Sequence, residues 1–173
     1  YPTTENFVPG SYENGIYQNE YTGITYVVSG EFDSSELDPF SMPEIEDTEE
    51  DYTFYTEFYV SRESDYMYIS YENAEYCACE TIEEYIDLLY VSGPDTELIS
   101  EETVSIRGDD FYKAITHNEY ETNDGETESY YYCVLVRKVT DDYFTMIEIN
   151  TEKLESIDDF LLGFEYGEDF EEV

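Results

Sequence analysis

The sequence predicts an α+β domain, a predominantly antiparallel sheet covered by helices, in three α/β/α layers if the two helices lie on opposite faces. Three observations predict it. Segments rich in Tyr, Phe, Val and Ile alternate with period two and arrive in runs joined by short turns. Two other segments repeat apolar residues at helical spacing. Each of those two has a single apolar stripe, the pattern of a helix resting on a sheet.

Residues 1–13 are polar, with Pro2 and Pro9, and read as a flexible leader. A single domain is expected over 14–166 and an acidic tail over 167–173. Tyr17 to Val28 alternates around Asn19-Glu20 and Gly23, which predicts a short hairpin. Ser29 to Asp51 carries Pro39 and Pro43 with thin apolar anchors, and fits either a loop or a short helix around Ser34 to Asp38. A long irregular stretch of this kind is a candidate working loop. Tyr52 to Ser61 and Tyr66 to Asn73 read as strands around an Arg62-Glu63-Ser64-Asp65 turn. Thr81 to Tyr90 reads as a helix. Thr81 and Glu84 have capping-box spacing, and Ile82, Tyr85, Ile86 and Leu89 form one stripe. Four strands then follow in meander order, Leu98 to Arg107, Phe111 to Asn118, Ser129 to Val139 and Tyr143 to Asn150. Gly108-Asp109-Asp110, Asn123-Asp124-Gly125 and Thr140-Asp141-Asp142 are the expected turns. Ser156 opens a last helix whose stripe is Ile157, Phe160, Leu161 and Phe164.

Charge excludes whole classes of function. Six Lys plus Arg face 45 Asp plus Glu, for a formal net charge of -39. Such a field repels phosphate, so nucleic acid is not an expected partner, and docking to anionic lipid is disfavoured. The 31 Phe and Tyr residues separate this chain from acidic disordered ones. A soluble, self-repelling monomer is the expectation.

Few residues suggest chemistry. His117 is the single histidine, and no nucleophile elbow, phosphate loop or zinc-protease motif accompanies it. Cys77 and Cys79 form a C-x-C and Cys133 stands apart. One disulfide from Cys133 to Cys77 or Cys79, or buried thiols, are the readings left open. A zinc site with His117 would lack the second ligand couple that such sites use. Glu121, Asn123, Asp124, Glu126 and Glu128 crowd one turn with oxygen ligands suited to calcium, although the spacing is not that of an EF-hand. A plain hairpin turn accounts for them as well. No other cofactor is implied. Tyr130, Tyr131 and Tyr132 place rings on both faces of one strand, a candidate aromatic binding patch; Tyr52, Tyr55, Tyr59, Tyr66 and Tyr68 raise the same question.

Four stretches together resemble a known family. They are Asn14 to Tyr26; Ile106 to Lys113; Tyr131 through Arg137-Lys138 to Tyr143-Phe144; and Ser156 to Phe164. In this order they resemble the PsbP-like domains of small Gram-positive bacterial lipoproteins. Where such domains place a Pro-Gly-Trp turn, this chain has Ser29-Gly30-Glu31-Phe32 and no Trp. The resemblance implies a PsbP-like sandwich at the cell surface, tethered by an N-terminal lipid that lies outside this sequence. It implies no catalytic residue. The expected role is therefore a non-enzymatic extracellular binding or structural module with a protein or glycan partner. The alternatives are a secreted carboxylate- or metal-dependent hydrolase and a calcium-responsive surface protein.

Overall fold

The computed structural model describes residues 9–37, 54–74, 79–89, 95–141 and 143–165. Among them β1 (Ser11–Glu13), β2 (Ile16–Asn19) and β3 (Ile24–Val27) form a small antiparallel sheet. A second, seven-stranded sheet holds β4 (Ser34–Leu37), β5 (Phe54–Arg62), β6 (Asp65–Asn73), β7 (Thr96–Ile106), β8 (Asp109–Glu121), β9 (Thr127–Lys138) and β10 (Tyr143–Thr151). Its order is β4-β5-β6-β10-β9-β8-β7, and every neighbouring pair is antiparallel. The described residues also form two helices, α1 (Ile82–Leu89) and α2 (Ser156–Glu165).

Local chemistry accounts for the boundaries. Asn14-Gly15 and Arg107-Gly108 each show two successive positive φ values, 53° with 79° and 53° with 82°, the pattern of tight hairpin turns whose twist matches the strands. The second turn thus falls on Arg107-Gly108, and Asp109-Asp110 already belongs to β8. At α1 the capping box forms as its spacing predicts. The Glu84 amide donates to Thr81 Oγ1 at 3.3 Å, and the Thr81 amide donates back to Glu84 Oε2 at 3.4 Å. Ser34–Leu37 is a strand paired with β5 rather than a loop or helix. Residues 38–51 of the expected working loop lie outside the described residues.

Both faces of the large sheet carry cores. On the inner face, Phe58, Met67, Ile69, Tyr71, Leu135 and Ile147 pack against Tyr17 and Tyr26 of the small sheet and against Ile157, Phe160 and Phe164 of α2. The outer face has a smaller core of Val134, Val136, Phe144 and Met146 beneath Tyr85 of α1, with Ala74, Cys79 and Ala114 around them.

The expectation of a three-layer α/β/α sandwich with helices covering the sheet is overturned. The described residues are mostly antiparallel β in two sheets, and the two helices among them do not cover the large sheet. Geometry gives the reason. The eight residues of α1 make a rod about 12 Å long, whereas seven strands span roughly 29 Å across the sheet. The other face is shared by α2 and a whole second sheet. An apolar stripe predicts that a helix rests on something; it does not predict how much of it the helix covers.

Candidate functional site

Antiparallel register lays the outer face out in rows. Nearest α1, Glu72, Phe144 and Lys138 stand side by side, followed by the row Thr56, Ser70, Met146, Val136 and Tyr112. Helix α1 covers this end. Its Tyr85 ring stacks on Phe144 at 4.4 Å and 3°, and its hydroxyl donates to Glu72 at 2.5 Å.

Beyond α1 the rows turn to tyrosine. One reads Tyr59, Tyr68, Glu148, Val134 and Ala114; the next reads Ser61, Tyr66, Asn150, Tyr132 and Thr116. Tyr130 and Asn118 pair one step further on. All five rings are only half-buried. Tyr68 contacts Tyr59 at 5.1 Å and Tyr66 at 5.3 Å, and Tyr130 meets Tyr120 at 6.0 Å. A cavity of about 300 Å³ opens beside them, between Ile86 of α1 and Tyr112, Tyr130, Tyr132 and Asn150.

Glu148 sits in the middle of these rings. The Tyr132 hydroxyl donates to its Oε1 at 2.6 Å. Burial pushes the Glu148 carboxyl above the ordinary carboxylate range, and the Tyr132 hydrogen bond pulls it part of the way back. The same closeness raises the phenols. Burial and then Glu148 raise Tyr132, while burial followed by Glu148, Tyr130 and Tyr59 raises Tyr66.

A second buried acid shows what a satisfied carboxylate looks like here. A bulge between Thr56 and Phe58 turns Glu57 into the inner core, where it is 3% exposed. It accepts from the Gly10 amide at 2.5 Å, the Tyr17 hydroxyl at 2.5 Å and Asn19 Nδ2 at 3.0 Å. Tyr17 in turn meets the Tyr71 hydroxyl at 2.9 Å. This network bolts the small sheet to the large one. Glu148, by contrast, has one phenol.

With this geometry in view, comparison with protein-family models, curated proteins and solved structures finds no match to the chain.

The sequence-predicted residues separate. Tyr130 and Tyr132 reach the outer face, but Tyr131 lies on the inner one, its ring stacked on His117 at 4.7 Å. Tyr52 and the Tyr55 side chain lie outside the described residues. Asn123, Asp124 and Glu126 fall in the β8–β9 hairpin turn, and Glu121 and Glu128 in the strands beside it. That turn closes on itself. Thr122 and Glu126 exchange backbone and side-chain bonds, and Glu128 accepts from the Tyr120 hydroxyl. Among the described residues no three of His, Cys, Asp and Glu converge as metal ligands.

Cys133 belongs to the inner core and Cys79 to the outer one, so the sheet itself stands between them and this pair forms no bridge. Cys77 lies outside the described residues. Cys133 and His117 do share the inner face on neighbouring strands, two positions apart in register. Burial pushes the Cys133 thiol up to about 12, the reverse of an activated nucleophile. Sequence reading passed over Glu148. Its signal was one acid on the face that β10 otherwise fills with Phe144 and Met146.

Proposed function

We propose that the chain is a non-enzymatic binding module of a bacterial cell surface, held there by a lipid anchor attached upstream. Its ligand surface is the tyrosine face of the large sheet. One observation carries the reading: Tyr59, Tyr66, Tyr68, Tyr130 and Tyr132 stand half-buried on the part of the outer face that α1 leaves uncovered. Flat apolar rings with polar tips suit recognition of extracellular protein or glycan, and Thr116, Asn118 and Asn150 supply hydrogen-bonding groups among them. The resemblance of four stretches to domains of surface lipoproteins is what supports the location. The net charge of -39 supports a role that avoids nucleic acid.

Glycan and peptide arrays probed with the full chain test the reading. A specific hit should be lost in Tyr68→Ala and Tyr130→Ala and should protect β6, β9 and β10 from hydrogen exchange. Hits that survive both substitutions, or protection confined to the inner face, would sink it.

A further inference from the structure

We infer that the tyrosine face is a receptor for an organic ammonium ion, with Glu148 as the counter-charge, the surrounding rings as its walls and the adjoining cavity as the seat of the ligand's apolar body. The inference rests on the binding role proposed above and names the chemistry of its ligand.

Charge complementarity carries the argument. Glu148 lies on β10 with β6 on one side and β9 on the other, the centre of the sheet rather than an edge. The chain has six basic residues, and none is spent on it. Arg62, Lys113 and Arg137 side with the inner face, paired to Asp159 at 2.8 Å, Glu102 at 3.4 Å and Asp109 at 2.7 Å. Arg107 and Lys153 lie in loops. Lys138 does reach the outer face, but beside Phe144, four positions along β9 from the Glu148 partner Val134 and so about 13 Å away. Its Nζ donates to the Glu80 carbonyl at 3.0 Å. A half-buried carboxylate with one hydroxyl partner thus faces a binding surface without a cation.

The walls fit the missing charge. Aromatic faces attract ammonium groups through their quadrupole, most strongly where water is thinned. Tyr68 stands directly across from Glu148 on β6, and Tyr66 meets Tyr68 edge to face at 66°. Tyr132 holds the carboxylate from the β9 side. The cavity beyond it, about 300 Å³ floored by Ala114, Val134 and Val136, takes an apolar body of small-molecule size. The wider groove beside α2, about 620 Å³, mixes both signs of charge, with Arg107 and Lys113 among its lining beside Asp158 and Glu165, and offers no ring of tyrosines.

Titration calorimetry on the full chain at physiological salt reads the inference with three probes. Benzyltrimethylammonium should bind, tetramethylammonium should bind more weakly, and 3,3-dimethylbutan-1-ol, the neutral isostere of choline, should bind least. Glu148→Gln should weaken benzyltrimethylammonium at least about tenfold, the scale of a lost charged contact. Tyr68→Leu should weaken it severalfold, whereas Glu121→Gln, which removes the same charge at the far end of β8, should leave it unchanged. Equal losses in Glu148→Gln and Glu121→Gln would show attraction to the overall acidic field and overturn the inference. So would binding of oligolysine alone, abolished by salt and indifferent to Glu148. Should a neutral glycan or peptide bind at Tyr68 while all cations fail, the cation claim falls and the binding face stands. Failure of every ligand at that face would remove both.

Discussion

Single residues make the sharpest predictions. Gly163 of α2 lies so close to the small sheet that an added Cβ would sit 2.3 Å from the Tyr26 ring. Gly163→Ala should therefore lower stability by about 1–3 kcal/mol through overpacking, although alanine is the better helix former. Chemical denaturation reads it, and an unchanged or raised midpoint would refute the packing. The Tyr26 hydroxyl is buried without a hydrogen-bond partner among the described residues, so Tyr26→Phe should leave stability unchanged or raise it. Glu57 behaves in the opposite way. Its two oxygens accept three bonds, and Gln offers one acceptor oxygen and an amide that faces donors. Glu57→Gln should cost about 1–3 kcal/mol and loosen exchange protection in β2 before the large sheet. A loss spread evenly over both sheets would contradict its role as the bolt between them.

At the scale of elements, β10 shows function opposing stability. The folded Glu148 carboxyl titrates above its unfolded value, so it favours folding below the unfolded pKa near 4.3, and that contribution is lost as pH rises through the folded pKa. Glu148→Gln should therefore raise the melting temperature at pH 7, and the gain should shrink toward pH 4. A constant difference across that range would show that burial of the charge is not its cause. Helix α1 is held by its cap, by Tyr85, whose ring stacks on Phe144 and whose hydroxyl bonds Glu72, and by Ile82 packed on the outer core. Thr81→Ala should cost about 1 kcal/mol, seen as faster exchange within α1, while the β6–β10 pairing stays protected. The capping box and the apolar stripe of α1 were legible because both are short-range patterns. The bulge at Glu57 was not, since an inserted residue shows only when its partner strand is known.

For the whole molecule the charge dominates. A net charge of -39 should make stability rise with sodium chloride as self-repulsion is screened. Replacing Glu121 and Glu128 by Gln should leave the response to calcium unchanged, because the turn they flank is closed by its own bonds; a lost calcium shift in that variant would restore the turn as a cation site. Strand alternation, both helical stripes and the acidity were all fixed by the sequence, because each depends on residues a few positions apart. Period-two alternation by itself puts Tyr66, Tyr68 and Ser70 on one side of their strand, and Phe144, Met146 and Glu148 on one side of theirs. Only the tertiary structure decided that those two sides are the same face. It also decided that a second sheet shares the inner face with α2, that Tyr131 leaves its neighbours, and that α1 is too short to cover the outer face. Pairing and coverage depend on contacts between residues tens of positions apart, and no local period records them.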